Sequence, residues 1–275
     1  MPQSLAFKIE KEVLEFLKQA GKLAISMRES AKDYTKEDGS IVTDVDLAIS
    51  KAFAEQFAEY FSSGRHILID EESAKKSPEE VFASNAKYIW TLDPIDGTDP
   101  FANELPMWGI QAGVLKDNKP WLGFIYLADM DILYVHNGEN FYQLKNGKKT
   151  IYKKGDVINP KGKQFVIANN CTPAQTANYD FGFNPYSAVC VFPWIAIGGL
   201  IGICTKSTSF GGVWDWAPAW PMLEHTGKQI RNFTNGEIQH NLKQIISPEW
   251  KFNQHVIISD EKNFNKLQKI IKFDK

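Results

Sequence analysis

The sequence predicts an α/β protein whose helices layer onto largely antiparallel sheets. Three observations carry that expectation. Apolar residues near the N-terminus recur at three- and four-residue steps, short β-rich runs separated by turn signals follow from Trp108, and helical and strand-like runs mix again in the C-terminal half.

The first element is a long helix, because Leu5, Ile9, Val13, Phe16, Ala20, Leu23 and Met27 fall on one face; Gly21 weakens it slightly. Ser30 to Ser40 is polar and charged and reads as a loop. A second helix is expected from Asp44 to Phe61, then strands at His66–Asp70 and Tyr88–Leu92. Trp108–Leu115, Trp121–Leu127, Ile132–His136 and Phe141–Leu144 are separated by Asp117-Asn118 and Asn137-Gly138, the spacing of an antiparallel meander. Lys145 to Lys163, rich in Lys, Gly, Asn and Pro, is the expected boundary between an N-terminal lobe (1–150) and a C-terminal lobe (151–275). Beyond it we expect a strand at Gln164–Ala168, an irregular stretch to Ser187, helices at Pro193–Ile203 and Asp215–His225, and strands near Asn241–Ile246 and Val256–Ser259.

Composition narrows the function. The 275 residues carry 31 basic and 33 acidic side chains, a formal charge of −2, which argues against a grip on a nucleic-acid polymer. The 43% hydrophobic content suits a packed interior rather than disorder. The apolar run Trp194–Cys204 is well short of the roughly 20 residues that span a bilayer. The start of the chain has no apolar signal-peptide core, and Cys171, Cys190 and Cys204 suggest no disulfide framework. A cytoplasmic protein without membrane partners is expected. His66, His136, His225, His240 and His255 show no ligand spacing and receive no role.

The informative segment is Trp90-Thr91-Leu92-Asp93-Pro94-Ile95-Asp96-Gly97-Thr98. Two carboxylates stand three residues apart at the end of an apolar strand. Pro94 turns the chain so that both can point one way, and Gly97 permits positive φ or close backbone approach. Gly97-Thr98-Asp99-Pro100 reads as a helix start whose free amides suit an anion. Alone, the motif could equally be a turn with a helix cap. Three further segments add weight. Asp70-Glu71-Glu72-Ser73 closes the preceding strand. Val42-Thr43-Asp44-Val45-Asp46 opens the second helix and by itself reads as a capping box. Trp214-Asp215-Trp216-Ala217-Pro218 places one acid among bulky apolar groups, where an unpaired carboxylate is costly. A hard cation satisfies such a set, and oxygen ligands select magnesium, calcium or manganese.

Taken together, Asp70-Glu71-Glu72-Ser73, Asp93-Pro94-Ile95-Asp96-Gly97-Thr98 and Trp214-Asp215-Trp216-Ala217-Pro218 resemble the signature of the inositol monophosphatase family. The resemblance implies a layered α-β-α-β-α sandwich, a homodimer, and lithium-sensitive hydrolysis of a small phosphomonoester. It implies two to three Mg2+ per site, with Mn2+ as a substitute. By motif, Glu71, Asp93 and the Ile95 carbonyl would hold one cation; Asp93, Asp96 and Asp215 would hold a second; Glu71 would reach a third through water. Gly97 and Thr98 would present amides to the substrate phosphate. Thr98 and Asp46 would activate the attacking water, with Glu72 and Lys36 completing the catalytic set. Where the family carries a polyol-binding acid, no Asp or Glu occurs between Tyr186 and Trp214, and Thr208 stands near the expected place. Pro106-Met107-Trp108-Gly109 resembles the histidinol-phosphatase branch. Inositol-1-phosphate-like polyols, histidinol phosphate, sugar bisphosphates and 3′-phosphonucleotides therefore all remain as substrates. A catalytically weak metal- and phosphate-binding regulator is the alternative from a different class.

Overall fold

A computed structural model describes residues 4–35, 41–73, 76–156, 158, 162, 164–167, 171–173, 180–183, 187–205, 207 and 211–273. Helix α1 (Leu5–Met27) begins at Ser4, whose hydroxyl accepts the Phe7 amide at 3.3 Å. Its apolar stripe buries Ile9, Val13, Phe16 and Ala20. Gly21 belongs to this stripe for a steric reason: a β-carbon there would come within 2.6 Å of Tyr126 Cε1.

The segment read as a loop contains strand β1 (Asp33–Thr35), paired antiparallel with β2 (Ile41–Thr43). Lys36, expected near the site, lies outside the described residues. Helix α2 (Asp44–Gln56) opens with the capping box read from Thr43 and Asp46. The expected single helix to Phe61 is instead broken at Phe57, where φ −100° and ψ 13° leave helical space, and α3 (Ala58–Ser62) restarts. Packing explains the break: Phe57 is buried with its ring 4.5 Å from Phe53 and 5.4 Å from Trp90.

Strand β3 (His66–Asp70), helix α4 (Pro78–Ala83), β4 (Tyr88–Asp96), helix α5 (Thr98–Ala102), β5 (Gly109–Lys116), β6 (Lys119–Leu127), β7 (Ile132–His136), β8 (Phe141–Lys145) and β9 (Lys148–Tyr152) follow. Strands β3 to β9 form one seven-stranded sheet in sequence order. β3 runs parallel to β4, and every later pair is antiparallel, as the meander spacing predicts. Strand β9 lies within the stretch read as an inter-lobe connection. Its exposed Lys148, Lys149 and Thr150 carry no apolar alternation, so only pairing with β8 defines it.

The second half contains β10 (Gln164–Ile167), β11 (Cys171–Pro173), β12 (Asp180–Phe183), helix α6 (Ala188–Ala196), β13 (Gly202–Thr205), α7 (Val213–Trp216), α8 (Trp220–His225), β14 (Gln229–Asn232), α9 (Leu242–Ile245), β15 (Val256–Ser259), α10 (Glu261–Leu267) and β16 (Ile271–Phe273). A five-stranded sheet has the order β12-β10-β13-β15-β14, and β11 pairs with β16. Four expectations change here. The stretch expected to be irregular up to Ser187 contains strands β11 and β12. The helix expected at Pro193–Ile203 starts at Ala188, with Pro193 inside it. The helix expected at Asp215–His225 is two short ones separated by a turn at Ala217–Ala219. The strand expected near Asn241–Ile246 is helix α9, whose Asn241 side chain accepts the Lys243 amide at 2.9 Å.

Three apolar clusters order the layers. One joins α1 and α2 to a face of the first sheet through Val13, Phe53, Trp90 and Phe124. A second packs α6 and α8 between the other face, with Ile89 and Ile125, and the second sheet, with Ile203 and Ile258. The third closes the far face of that sheet against Phe264 and Leu267 of α10. The result is the α-β-α-β-α sandwich that the family resemblance implies. Among the described residues, no helix is long and apolar enough to cross a membrane.

Two buried histidines bridge the halves. His225 Nδ1 lies 3.3 Å from His136 Nε2, and His225 Nε2 lies 3.0 Å from the Tyr152 carbonyl. Burial lowers the His136 pKa from 6.5 to about 4, with His225 and Lys154 adding repulsion to a positive charge. The unfolded chain thus binds a proton that the folded chain refuses. Stability is full above pH 6.5 and declines as pH falls toward about 4, by up to about 3 kcal/mol. His136→Gln should flatten this acid limb in urea titrations at pH 4.5 to 7.5; an unchanged slope would remove His136 as its source.

Candidate active site

Strand β4 ends in a bulge. Its pairing with β5 is regular to Asp93↔Gln111, then shifts before Asp96↔Gly109. Pro94 has no amide to give the ladder, and the one extra residue on β4 re-aims the chain so that Asp93 and Asp96 converge. Gly97 follows at φ 88°, the left-handed region, and caps α5. A β-carbon there would lie 2.9 Å from both the Met107 carbonyl and Ser187 Cβ, so glycine is required twice over.

Asp70 organises the neighbouring turn. It is buried and accepts from the Ser50 hydroxyl, from Ser73 Oγ at 2.8 Å and from the Glu72 amide at 3.3 Å. The Glu71 amide donates to the Leu92 carbonyl at 3.2 Å, which holds Glu71 beside the end of β4. The acidic run therefore divides: its first member builds the turn and its second faces the cluster.

Asp215 reaches the same place from the other half of the chain. Gly113 and Gly123 are register partners on β5 and β6, and Pro218 rests on them. A β-carbon at Gly113 would stand 3.0 Å from Pro218 N, and one at Gly123 would overlap the Pro218 carbonyl. Trp216, stacked on Phe252 at 4.6 Å, secures α7 from behind. Gly211 lies against the Asp215 carboxylate, where a β-carbon would overlap Oδ2. Gly211→Ala should therefore displace Asp215 and weaken magnesium binding by about 10–100-fold, the usual cost of disturbing a ligand's support. Calorimetric titration with magnesium checks this; equal affinity would show that the loop yields freely.

Ligand oxygens of Asp93, Asp96 and Asp215 all lie within 4.8 Å of one another. Asp93 and Asp96 are buried and Asp215 is half-buried. Burial raises the Asp93 pKa well above the ordinary range, and the charges of Glu71, Asp96, Asp215 and Asp46 raise it further. Asp215 is raised by burial, then by Asp96 and Glu71. Burial lifts Asp96 to about 7 against the opposing Val189 amide, and Asp46 to about 6 against its bonds from Thr43. Both oxygens of Asp93 and Oδ2 of Asp215 are buried without a hydrogen-bond partner among the described residues. Crowded, acceptor-only oxygens of this kind fit a hard divalent cation.

Glu71 and Glu72 stand outside this three-carboxylate group. Glu71 acts on it through charge, whereas the Glu72 amide is tied to Asp70. Thr98, half-buried, donates to the Ile95 carbonyl at 3.3 Å. The Asp46 carboxylate accepts the Thr43 amide at 2.9 Å and the Thr43 hydroxyl at 2.5 Å. Among the described residues no hydrogen bond joins Thr98 to Asp46, the pair implied to activate water. Thr208 lies outside the described residues.

The start of α6 belongs to the site and was not foreseen. The Val189 amide donates to Asp96 Oδ2, and Ser187, whose Oγ donates to the Met107 carbonyl at 2.7 Å, abuts Gly97. Its sequence signal was a serine before the apolar run Ala188–Phe192, a helix start of ordinary form.

Known proteins resemble the chain in sequence and in fold. The chain is 27% identical over 257 residues to inositol monophosphatase 1 of Saccharomyces cerevisiae, covering 83% of each protein. It is 26% identical over 127 residues to a fructose-1,6-bisphosphatase/inositol-1-monophosphatase of Aquifex aeolicus, a match spanning 46% of this chain and 45% of that protein. A solved IMPase/NADP phosphatase complexed with NADP and Ca2+ superposes with a TM-score of 0.74, covering 99% of this chain and 100% of that one at 18% identity. The model of the inositol monophosphatase family matches residues 3–265, taking in both halves and every acid of the cluster, and on that match the chain belongs to this family.

Proposed function

We propose that the protein hydrolyses a small phosphomonoester with magnesium, by attack of a water molecule on phosphorus. The observation that carries this reading is the convergence of Asp93, Asp96 and Asp215, three carboxylates of which Asp93 and Asp215 hold buried, unpartnered oxygens. Glu71, Asp93, the Ile95 carbonyl, Asp96 and Asp215 would hold two to three Mg2+, and Mn2+ could substitute. Bound magnesium neutralises the phosphate and makes water acidic enough to attack at neutral pH.

The chain's own residues would do the rest. The Gly97 and Thr98 amides bind phosphate oxygens. Thr98 Oγ1 turns from the Ile95 carbonyl to the attacking water and passes a proton toward Asp46. Burial raises Asp46 to about 6, which suits a group that must take up and return a proton near neutrality. Glu72 and Lys36 would complete the catalytic set.

For the substrate we infer an inositol-1-phosphate-like polyol phosphate. The lack of any acid between Tyr186 and Trp214 keeps histidinol phosphate, sugar bisphosphates and 3′-phosphonucleotides as competitors. Phosphate release from a panel of these substrates, with magnesium and with chelator, tests both levels. Release from none would remove the enzymatic reading and leave a metal- and phosphate-binding regulator. Lithium should inhibit relative to potassium at equal ionic strength; identical rates in the two salts would remove lithium sensitivity alone. A cytoplasmic homodimer completes the proposal, and sedimentation of the purified chain checks its assembly.

A further inference from the structure

Gln111 has no place in the mechanism above, yet its surroundings demand an explanation. It lies on β5 directly opposite Asp93, with 0% of its surface exposed. Neither Oε1 nor Nε2 has a hydrogen-bond partner among the described residues, and neither does either oxygen of Asp93. Directly opposed residues of an antiparallel pair share a face, with β-carbons about 4.5–5.5 Å apart. Leaving a buried carboxamide unpaired costs roughly 1–3 kcal/mol, which a leucine of similar size would avoid. An amide donor and an acceptor-only carboxylate therefore stand side by side on one face, each unsatisfied.

We propose that Gln111 is a positioning residue for Asp93: when a cation occupies the site, its Nε2–H group swings to donate to one Asp93 oxygen and turns the other toward the cation. This rests on the reading of Asp93 as a metal ligand. That bond, formed on metal binding, satisfies two orphaned groups together and removes one rotational choice from the carboxylate. It leaves Gln111 Oε1 available to a water bound beside the cation. Ligand supports of this kind typically change metal affinity by about 10–100-fold. Thr91, two residues before Asp93 on the same face of β4, also has an unpartnered buried hydroxyl. It faces Gly113 rather than Gln111 across the ladder and serves as the control.

The test titrates the full chain with magnesium alone, by calorimetry, for the natural protein, Gln111→Met and Thr91→Val. Expected is affinity weakened about 10–100-fold in Gln111→Met and unchanged in Thr91→Val. The magnesium concentration for half-maximal phosphate release should rise with it, while the rate at saturating magnesium recovers. Equal affinity in Gln111→Met and the natural protein overturns the inference while the metal centre stands. Equal weakening in both variants also overturns it, because general packing would then be the cause. A natural protein that takes up no magnesium overturns the metal reading and this inference together. Should Gln111→Met fail to fold, glutamine-selective 15N labelling of the natural protein replaces it. The Gln111 side-chain amide should shift on magnesium addition and exchange slowly with water; a resonance indifferent to magnesium overturns the inference.

Discussion

Asp93→Asn should abolish magnesium-dependent phosphate release while leaving a folded protein that is at least as stable without metal. The carboxylate is buried, accepts no hydrogen bond among the described residues, and lies in the field of Glu71, Asp96, Asp215 and Asp46. Replacing it removes the charge shared between the proposed cation positions. Cation assistance to such a displacement is worth several kcal/mol, and losing about 4 kcal/mol slows turnover by about 10³-fold. The metal-free protein responds in the opposite sense, because one of several crowded charges is gone. The paired measurements are phosphate release at saturating magnesium and thermal unfolding in chelator. Near-normal release would overturn the cation assignment, and a collapsed midpoint would make Asp93 a structural residue.

Thr98→Ala should separate binding from chemistry. The hydroxyl touches the Ile95 carbonyl at 3.3 Å and none of the three clustered carboxylates, so magnesium affinity should hold. The rate should fall by about 10²–10⁴-fold, the usual range for losing a positioned proton-transfer group. Helix α5 should persist, because its start depends on Gly97 at φ 88° rather than on a Thr98 side-chain cap. Calorimetry with magnesium and single-turnover kinetics give the two readings. An unchanged rate would reduce Thr98 to a residue of the helix start.

The parts of this architecture legible in the sequence are those set by local chemistry. Asp93, Pro94, Asp96 and Gly97 announce a turned strand end because each residue constrains its own backbone. Asp215 stands out because one acid among tryptophans must have a reason to be there. The capping box at Thr43 and Asp46 is likewise a three-residue fact. Contacts between distant residues were illegible. The Val189 amide meets Asp96 across 93 positions, and no local pattern announces it. Pro193 misled the reading of α6, since proline ordinarily opens a helix and here lies within one. Strand β9 exists only through pairing with β8, and Asn241 caps a single helical turn that resembles a strand by composition.

The seat of Pro218 on Gly113 and Gly123 has a consequence for how the molecule breathes. Asp215 comes from the second half of the chain, yet its segment is anchored to backbone in the middle of the first sheet. Local opening follows such packing rather than sequence order. In hydrogen exchange, α7 and the turn after it should be protected together with β5 and β6, while β14, at the edge of the second sheet, opens at lower free energy. The cation ligands would then sit within one cooperative unit, and the edge of the second sheet could loosen without spilling metal.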